Sequence, residues 1–77
     1  MKLTKSEFCQ FNLQTRFRLL TEYGKNILNK RVSKRMISVY MLFDFYVEVY
    51  ENLVSRQLEK VEPLVNTGLL EVYQDLG

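Results

Sequence analysis

The sequence predicts an α+β fold: an N-terminal helix packed on a small antiparallel β-meander of about four strands, followed by a short C-terminal helix. Three observations predict it. Thr4-Lys5-Ser6-Glu7 opens a run of good helix formers that reaches Gly24. Nine of the fifteen residues from Met36 to Tyr50 are β-branched or aromatic, and such side chains lose rotamer freedom in a helix but fit a pleated surface. Pro63 and the small polar residues Asn66, Thr67 and Gly68 then separate the strands from a last apolar segment.

The helix is expected from about Lys5 to Tyr23. Thr4 and Glu7 fit a capping box, in which each side chain serves the other residue's backbone amide, and Gly24 stands where a helix C′ residue would. At 100° per residue the apolar positions fall into two stripes. Phe8, Phe11, Leu19 and Tyr23 make one; Cys9, Leu13, Phe17 and Leu20 make the other. So wide an apolar arc exceeds what a single sheet face needs to cover. One stripe faces the core and the other a partner, which makes Leu13, Phe17 and Leu20 candidate interaction residues. Arg16 lies between the stripes and is expected to lay its stem on apolar surface and send its head to water.

Lys25–Val32 reads as a polar edge strand, with Ser33-Lys34 as a tight connection. Lysine and arginine on an edge discourage stray sheet addition. Arg35–Phe43 and Phe45–Glu51 read as a hairpin turning at Asp44, since Phe45 to Tyr50 alternates at period two once tyrosine counts as amphipathic. Asn52 to Ser55 turns the chain into a weaker strand, Arg56–Glu62, which Pro63 ends for want of an amide donor. Asn66 or Thr67 can cap the closing helix, Gly68–Leu76.

Part of this pattern resembles a group of short bacterial proteins of unknown function. The similar elements are Leu19-Leu20, Gly24, Arg31, Val39-Tyr40-Met41-Leu42, Phe45-Tyr46-Val47-Glu48-Val49 and Gly68-Leu69-Leu70-Glu71-Val72-Tyr73. The likeness covers about Leu19 to Leu76, and the Phe-Tyr-Val-Glu-Val run is its most specific part. Asp44 departs from it by lacking a following glycine, which bears on the exact turn. The resemblance implies the same order of elements and no particular activity.

Composition narrows the chemistry. Seventy-seven residues make one domain, and a core of that size supplies only about 3–5 kcal/mol unless something staples it. Cys9 is the only cysteine and histidine is absent, so neither an internal disulfide nor a Cys/His zinc site can form. With 47% apolar residues, five phenylalanines and five tyrosines, what remains is efficient packing or self-association. The start of the sequence shows no apolar core or cleavage site of a signal peptide. The longest apolar stretch, Met36 to Val47, contains Asp44 and falls short of the roughly 20 residues a bilayer requires. A cytoplasmic protein without a membrane partner is expected.

No catalytic residue, cofactor or metal site is expected. Histidine, the commonest general base, is missing. Cys9 has no neighbouring base and reads as a small buried apolar residue, and the three glycines are too dispersed for a phosphate loop. An enzyme is not expected.

Charge is divided unevenly. Residues 1–35 hold nine basic and two acidic residues; residues 36–77 hold two basic and seven acidic. Lys25, Lys30, Arg31, Lys34 and Arg35 form a cluster without an acid. It can pair with acidic neighbours within the fold or across a dimer, stand solvated at an edge, or contact nucleic-acid phosphate through Lys30, Arg31, Lys34 and Arg35. The second candidate surface is Tyr46-Glu48-Tyr50, which Tyr40 would join and where Arg31 would partner Glu48. Tyrosine suits a part-wet interface, but the same face could lie under the closing helix. The leading expectation is a small interaction or accessory protein without catalytic activity that works as a homo-oligomer or with another protein. The alternative is a nucleic-acid-binding module using residues 25–35.

Overall fold

The computed structural model describes residues 2–64, in the order α1 (Lys5–Cys9), α2 (Leu13–Tyr23), β1 (Lys25–Val32), β2 (Arg35–Leu42), β3 (Phe45–Asn52) and β4 (Gln57–Pro63). The four strands form one antiparallel sheet in the spatial order β1-β2-β3-β4. This is the expected α+β meander. The expected helix Gly68–Leu76 lies outside the described residues.

The single N-terminal helix is instead two. The capping box forms as anticipated, with the Glu7 amide donating to Thr4 Oγ1 at 3.2 Å and the Thr4 amide to Glu7 Oε1 at 2.9 Å. The chain then breaks after Cys9, because Asn12 caps a second helix by accepting a hydrogen bond from the Thr15 amide at 2.9 Å. An asparagine competes well for that role, since its side chain replaces a missing helical acceptor. The break resets the helical phase, so the two stripes dissolve. Phe8 and Leu20 become fully buried, whereas Phe11 and Tyr23 remain exposed. Cys9, expected inside, is exposed.

Arg16 also departs from expectation. Its guanidinium does not reach into water but donates to three carbonyls: Phe11 O at 2.8 Å, Cys9 O at 2.6 Å and Val61 O at 2.9 Å. It thereby ties the interhelical junction to β4, and it sits over the Phe8 ring at 5.9 Å.

Gly24 ends α2 in an extended conformation (φ −91°, ψ 170°), not a left-handed one, with its amide on Leu20 O at 2.9 Å. What requires glycine is proximity, because a Cβ there would stand 2.7 Å from the Leu20 carbonyl oxygen.

Lys25–Val32 forms over the expected span, and Ser33-Lys34 makes the corner with Ser33 at φ 59°. The next corner uses two residues, Phe43 (φ 57°) and Asp44, where one was expected. After β3, Asn52 Oδ1 accepts from the Val54 and Ser55 amides at 2.9 and 3.1 Å, which closes the loop locally. Leu53 donates to Lys34 O at 2.8 Å and joins that loop to the first corner. Pro63 does not quite end the ladder: the Leu64 amide still donates to Tyr46 O at 2.9 Å.

One face of the sheet carries Leu42, Phe45, Val47, Val49 and Val61, which pack with Phe8 and Leu20 into the core, flanked by Leu13, Phe17, Leu19 and Tyr40. Phe8 meets Phe45 edge-on at 5.8 Å. Full burial of side chains of this size contributes about 1.5–3 kcal/mol each. α2 packs against β2 and β4, and α1 against β4. No described helix lies on the other face.

Candidate interaction surfaces

The register assigns each candidate residue to a face. Tyr40 pairs with Val47 and Val39 with Glu48, so Tyr46, Glu48 and Tyr50 share the helix-free face with Val39, Ile37 and Met41. Tyr40 lies on the helix side, edge-on to Phe17 at 6.4 Å. It does not join the other tyrosines. Arg31 pairs with Met36, which pairs with Glu51, and this places it on the helix side too, away from Glu48. Its Nε donates to Ser33 O at 3.4 Å.

The partner of Glu48 comes from β4. Lys60 Nζ lies 2.9 Å from Glu48 Oε1, 3.9 Å from Glu62 Oε2 and 5.0 Å from the Tyr50 ring centroid. Glu48 is buried. The hydrogen bond to Glu48 holds the Lys60 ammonium above the ordinary lysine range, outweighing the desolvation that opposes it. A bulge places Glu59 beside Lys60, since Tyr50 pairs with Lys60 while Glu51 pairs with Leu58. Glu59 accepts from Arg35 Nε at 2.7 Å and from Asn52 Nδ2 at 3.4 Å, and the Arg35 bond lowers its pKa. The sequence flagged Glu48 and Arg35 but not Lys60 or Glu59. Cross-strand partners depend on register, and the bulge moves β4 by one residue.

The other helix candidates face inward. Leu20 has no exposed surface, and Leu13 and Phe17 are half-buried against the core. Leu20 therefore offers nothing to a partner.

The basic cluster splits. Arg35 is engaged with Glu59, and Lys30 is half-buried on the helix-free side. Lys25, Arg31 and Lys34 are exposed, and Lys25 and Lys34 take part in no ion pair among the described residues. Around them gathers a feature that sequence reasoning missed. Of the six large apolar residues exposed among the described residues, Tyr23, Ile27, Val32 and Met41 lie on or beside β1, each 37–50% exposed. β1 is a terminal strand of the sheet, so its outer edge carries no strand among the described residues. Periodicity gives no warning of this, because Ile27 sits in a bulge between Asn26 and Leu28.

Cys9 opens onto a shallow cleft with Lys5, Ser6, Arg16, Glu62 and Pro63. No group of three or more His, Cys, Asp or Glu side chains able to hold a metal occurs among the described residues. None of their helices is long and apolar enough to cross a membrane.

Fold and surfaces together define a small α+β protein with a two-helix layer on one face of a four-stranded meander. No family model, curated protein or solved structure matches the chain.

Proposed function

We propose that the protein is a non-catalytic interaction protein that self-associates along the open edge of β1. The observation that carries this reading is the concentration of exposed apolar side chains, Tyr23, Ile27, Val32 and Met41, at a sheet edge on which no described strand is paired. Unpaired edges are templates for strand addition, and the bulge and cations of β1 deter indiscriminate addition. A second copy escapes that deterrent in the antiparallel register centred between Leu28 and Asn29. Lys25 then faces the partner's Val32, Asn26 the partner's Arg31 and Ile27 the partner's Lys30, so no cation directly opposes another. A lack of histidine and a single cysteine support the non-catalytic part of the reading.

Size-exclusion chromatography with light scattering tests it. The unmodified protein at tens of micromolar should show twice the 9.2 kDa chain mass, and Ile27→Glu with Val32→Glu should restore the single mass. A monomer for the unmodified protein removes the proposal.

A second reading, nucleic-acid binding, is favoured by the exposure of Lys25, Arg31 and Lys34 along the same edge. Glutamine at these three positions should abolish a low-salt gel shift, with binding falling steeply as salt rises. Arg35, held by Glu59, is not part of that surface. No shift by the unmodified protein ends this reading.

A further inference from the structure

The sheet ends at β4 on the side opposite β1, and the pairing there fixes which backbone groups point outward. The Leu64 amide donates to Tyr46 O at 2.9 Å. Hydrogen-bonded and non-hydrogen-bonded pairs alternate along an antiparallel ladder. Glu62 with Glu48 and Lys60 with Tyr50 are therefore bonded pairs, and Val61 and Pro63 turn their backbone groups away from β3. Pro63 has no amide to offer an incoming strand. The outward carbonyl of Val61 is already engaged, because Arg16 Nη1 donates to it at 2.9 Å. No described strand pairs along this edge.

We propose that Val61 centres a second self-complementary edge, fitted to β4 of another copy, and that Arg16 holds this edge closed. An antiparallel pair with Val61 opposite the partner's Val61 exchanges both outward backbone hydrogen bonds. It also sets Lys60 opposite the partner's Glu62, and Glu62 opposite the partner's Lys60. Both side chains share the helix-free face, since they pair with Tyr50 and Glu48, and they are 39% and 57% exposed. Opposite charges facing each other across strands favour that register. The obstacle is Arg16, whose guanidinium stands where the incoming Val61 amide must approach. Its bonds to Phe11 O and Cys9 O keep it there, so it cannot swing aside without releasing the junction between the helices. Charged side chains blunt sheet edges in this way. The consequence is a limit on assembly. Pairing through β1 alone joins two chains and stops, whereas two active edges on each chain propagate into an open-ended sheet.

The β4 edge does not depend on pairing at β1, and its test removes that pairing. In the full-length Ile27→Glu, Val32→Glu chain at tens of micromolar, adding Arg16→Met should raise the mass read by light scattering from 9.2 kDa to twice that value. Adding Glu62→Lys as well should return it to the single mass, because lysine then stands opposite lysine. Gly24→Ala in the same background controls for a loosened chain. It strains the α2–β1 junction, at the other edge of the sheet, leaves Arg16 in place and should keep the single mass. An Arg16→Met chain that stays at the single mass overturns the proposal, and so does a doubling that Gly24→Ala shares or that Glu62→Lys leaves intact. If the methionine chain does not fold, Arg16→Gln, which keeps a donor for the junction carbonyls, is read in the same way. Failure here leaves pairing at β1 untouched, since that is judged by the mass of the unmodified protein.

Discussion

Arg16 Nη1 donates a 2.9 Å hydrogen bond to the carbonyl oxygen of Val61, 45 residues away in β4. The same planar group reaches Phe11 O and Cys9 O, so one side chain holds the break between two helices and fastens both to the sheet. A guanidinium can do this because its donors point in several fixed directions, whereas an ammonium is a single compact charge. Arg16→Lys should therefore destabilise nearly as much as Arg16→Met. Each should cost about 1–3 kcal/mol, since the part-buried Val61 carbonyl loses its charged donor. Urea denaturation of the two variants measures this, and a lysine variant as stable as the parent would refute the geometric account.

Gly24 is a second fixed point, for a reason that backbone angles do not reveal. Its φ is ordinary for any residue, yet an added methyl group would stand 2.7 Å from Leu20 O. The obstacle is backbone held by a buried residue, so it cannot swing aside. Gly24→Ala should cost about 1–3 kcal/mol, the usual range for forced overpacking. The same urea experiment reads it, and a neutral result would mean that the α2–β1 junction relaxes freely.

Ser33 offers the opposite prospect. It takes φ 59° at the first corner residue of the β1–β2 hairpin, where glycine is preferred when that residue alone is left-handed. An L side chain there costs about 1–2 kcal/mol, and glycine returns about 0.5–1 kcal/mol of that as unfolded-state entropy. Ser33→Gly should raise stability by about 0.5 kcal/mol, seen as a higher urea midpoint with an unchanged slope. The corresponding change at Phe43 should gain less, because that ring stacks on Tyr23 at 6.2 Å.

These corners also explain what was legible in the sequence. Local chemistry was: the Thr4–Glu7 capping box, the span of β1, the Ser33-Lys34 corner and the alternation of Tyr46, Glu48 and Tyr50 all follow from neighbours in sequence. Register was not. A turn at Asp44 alone would pair Tyr40 with Glu48, and it is the two-residue corner at Phe43-Asp44 that pairs Tyr40 with Val47 instead. A one-residue slip exchanges the faces of a strand, so Tyr40 moved to the core and Val39 took its place beside Glu48. The Asn12 cap was hidden for a related reason: the apolar period continues across it, and only the competing side-chain bond to Thr15 stops the first helix. Lys60 and the apolar rim of β1 depend on bulges, which leave no periodic trace.

The two ion pairs of the helix-free face should divide by pH. Lys60 has its pKa raised, chiefly by the hydrogen bond to Glu48. Its contribution is thus fully present below the ordinary lysine value of 10.5 and is lost as pH rises through the folded value. Glu59 has its pKa lowered, chiefly by Arg35, so its contribution is present above the ordinary 4.5 and is lost as pH falls through the folded value. Urea midpoints across pH should show the stability gap between parent and Lys60→Met constant through neutrality and shrinking in strong alkali. The gap to Glu59→Gln should instead close in acid. Both pairs are partly open to solvent, with side-chain exposures of 39% for Lys60 and 35% for Glu59, so added salt should shrink both gaps as well. A Lys60→Met gap that persists undiminished through strong alkali would mean that Lys60 acts through packing on the Tyr50 ring and not through its charged bond to Glu48.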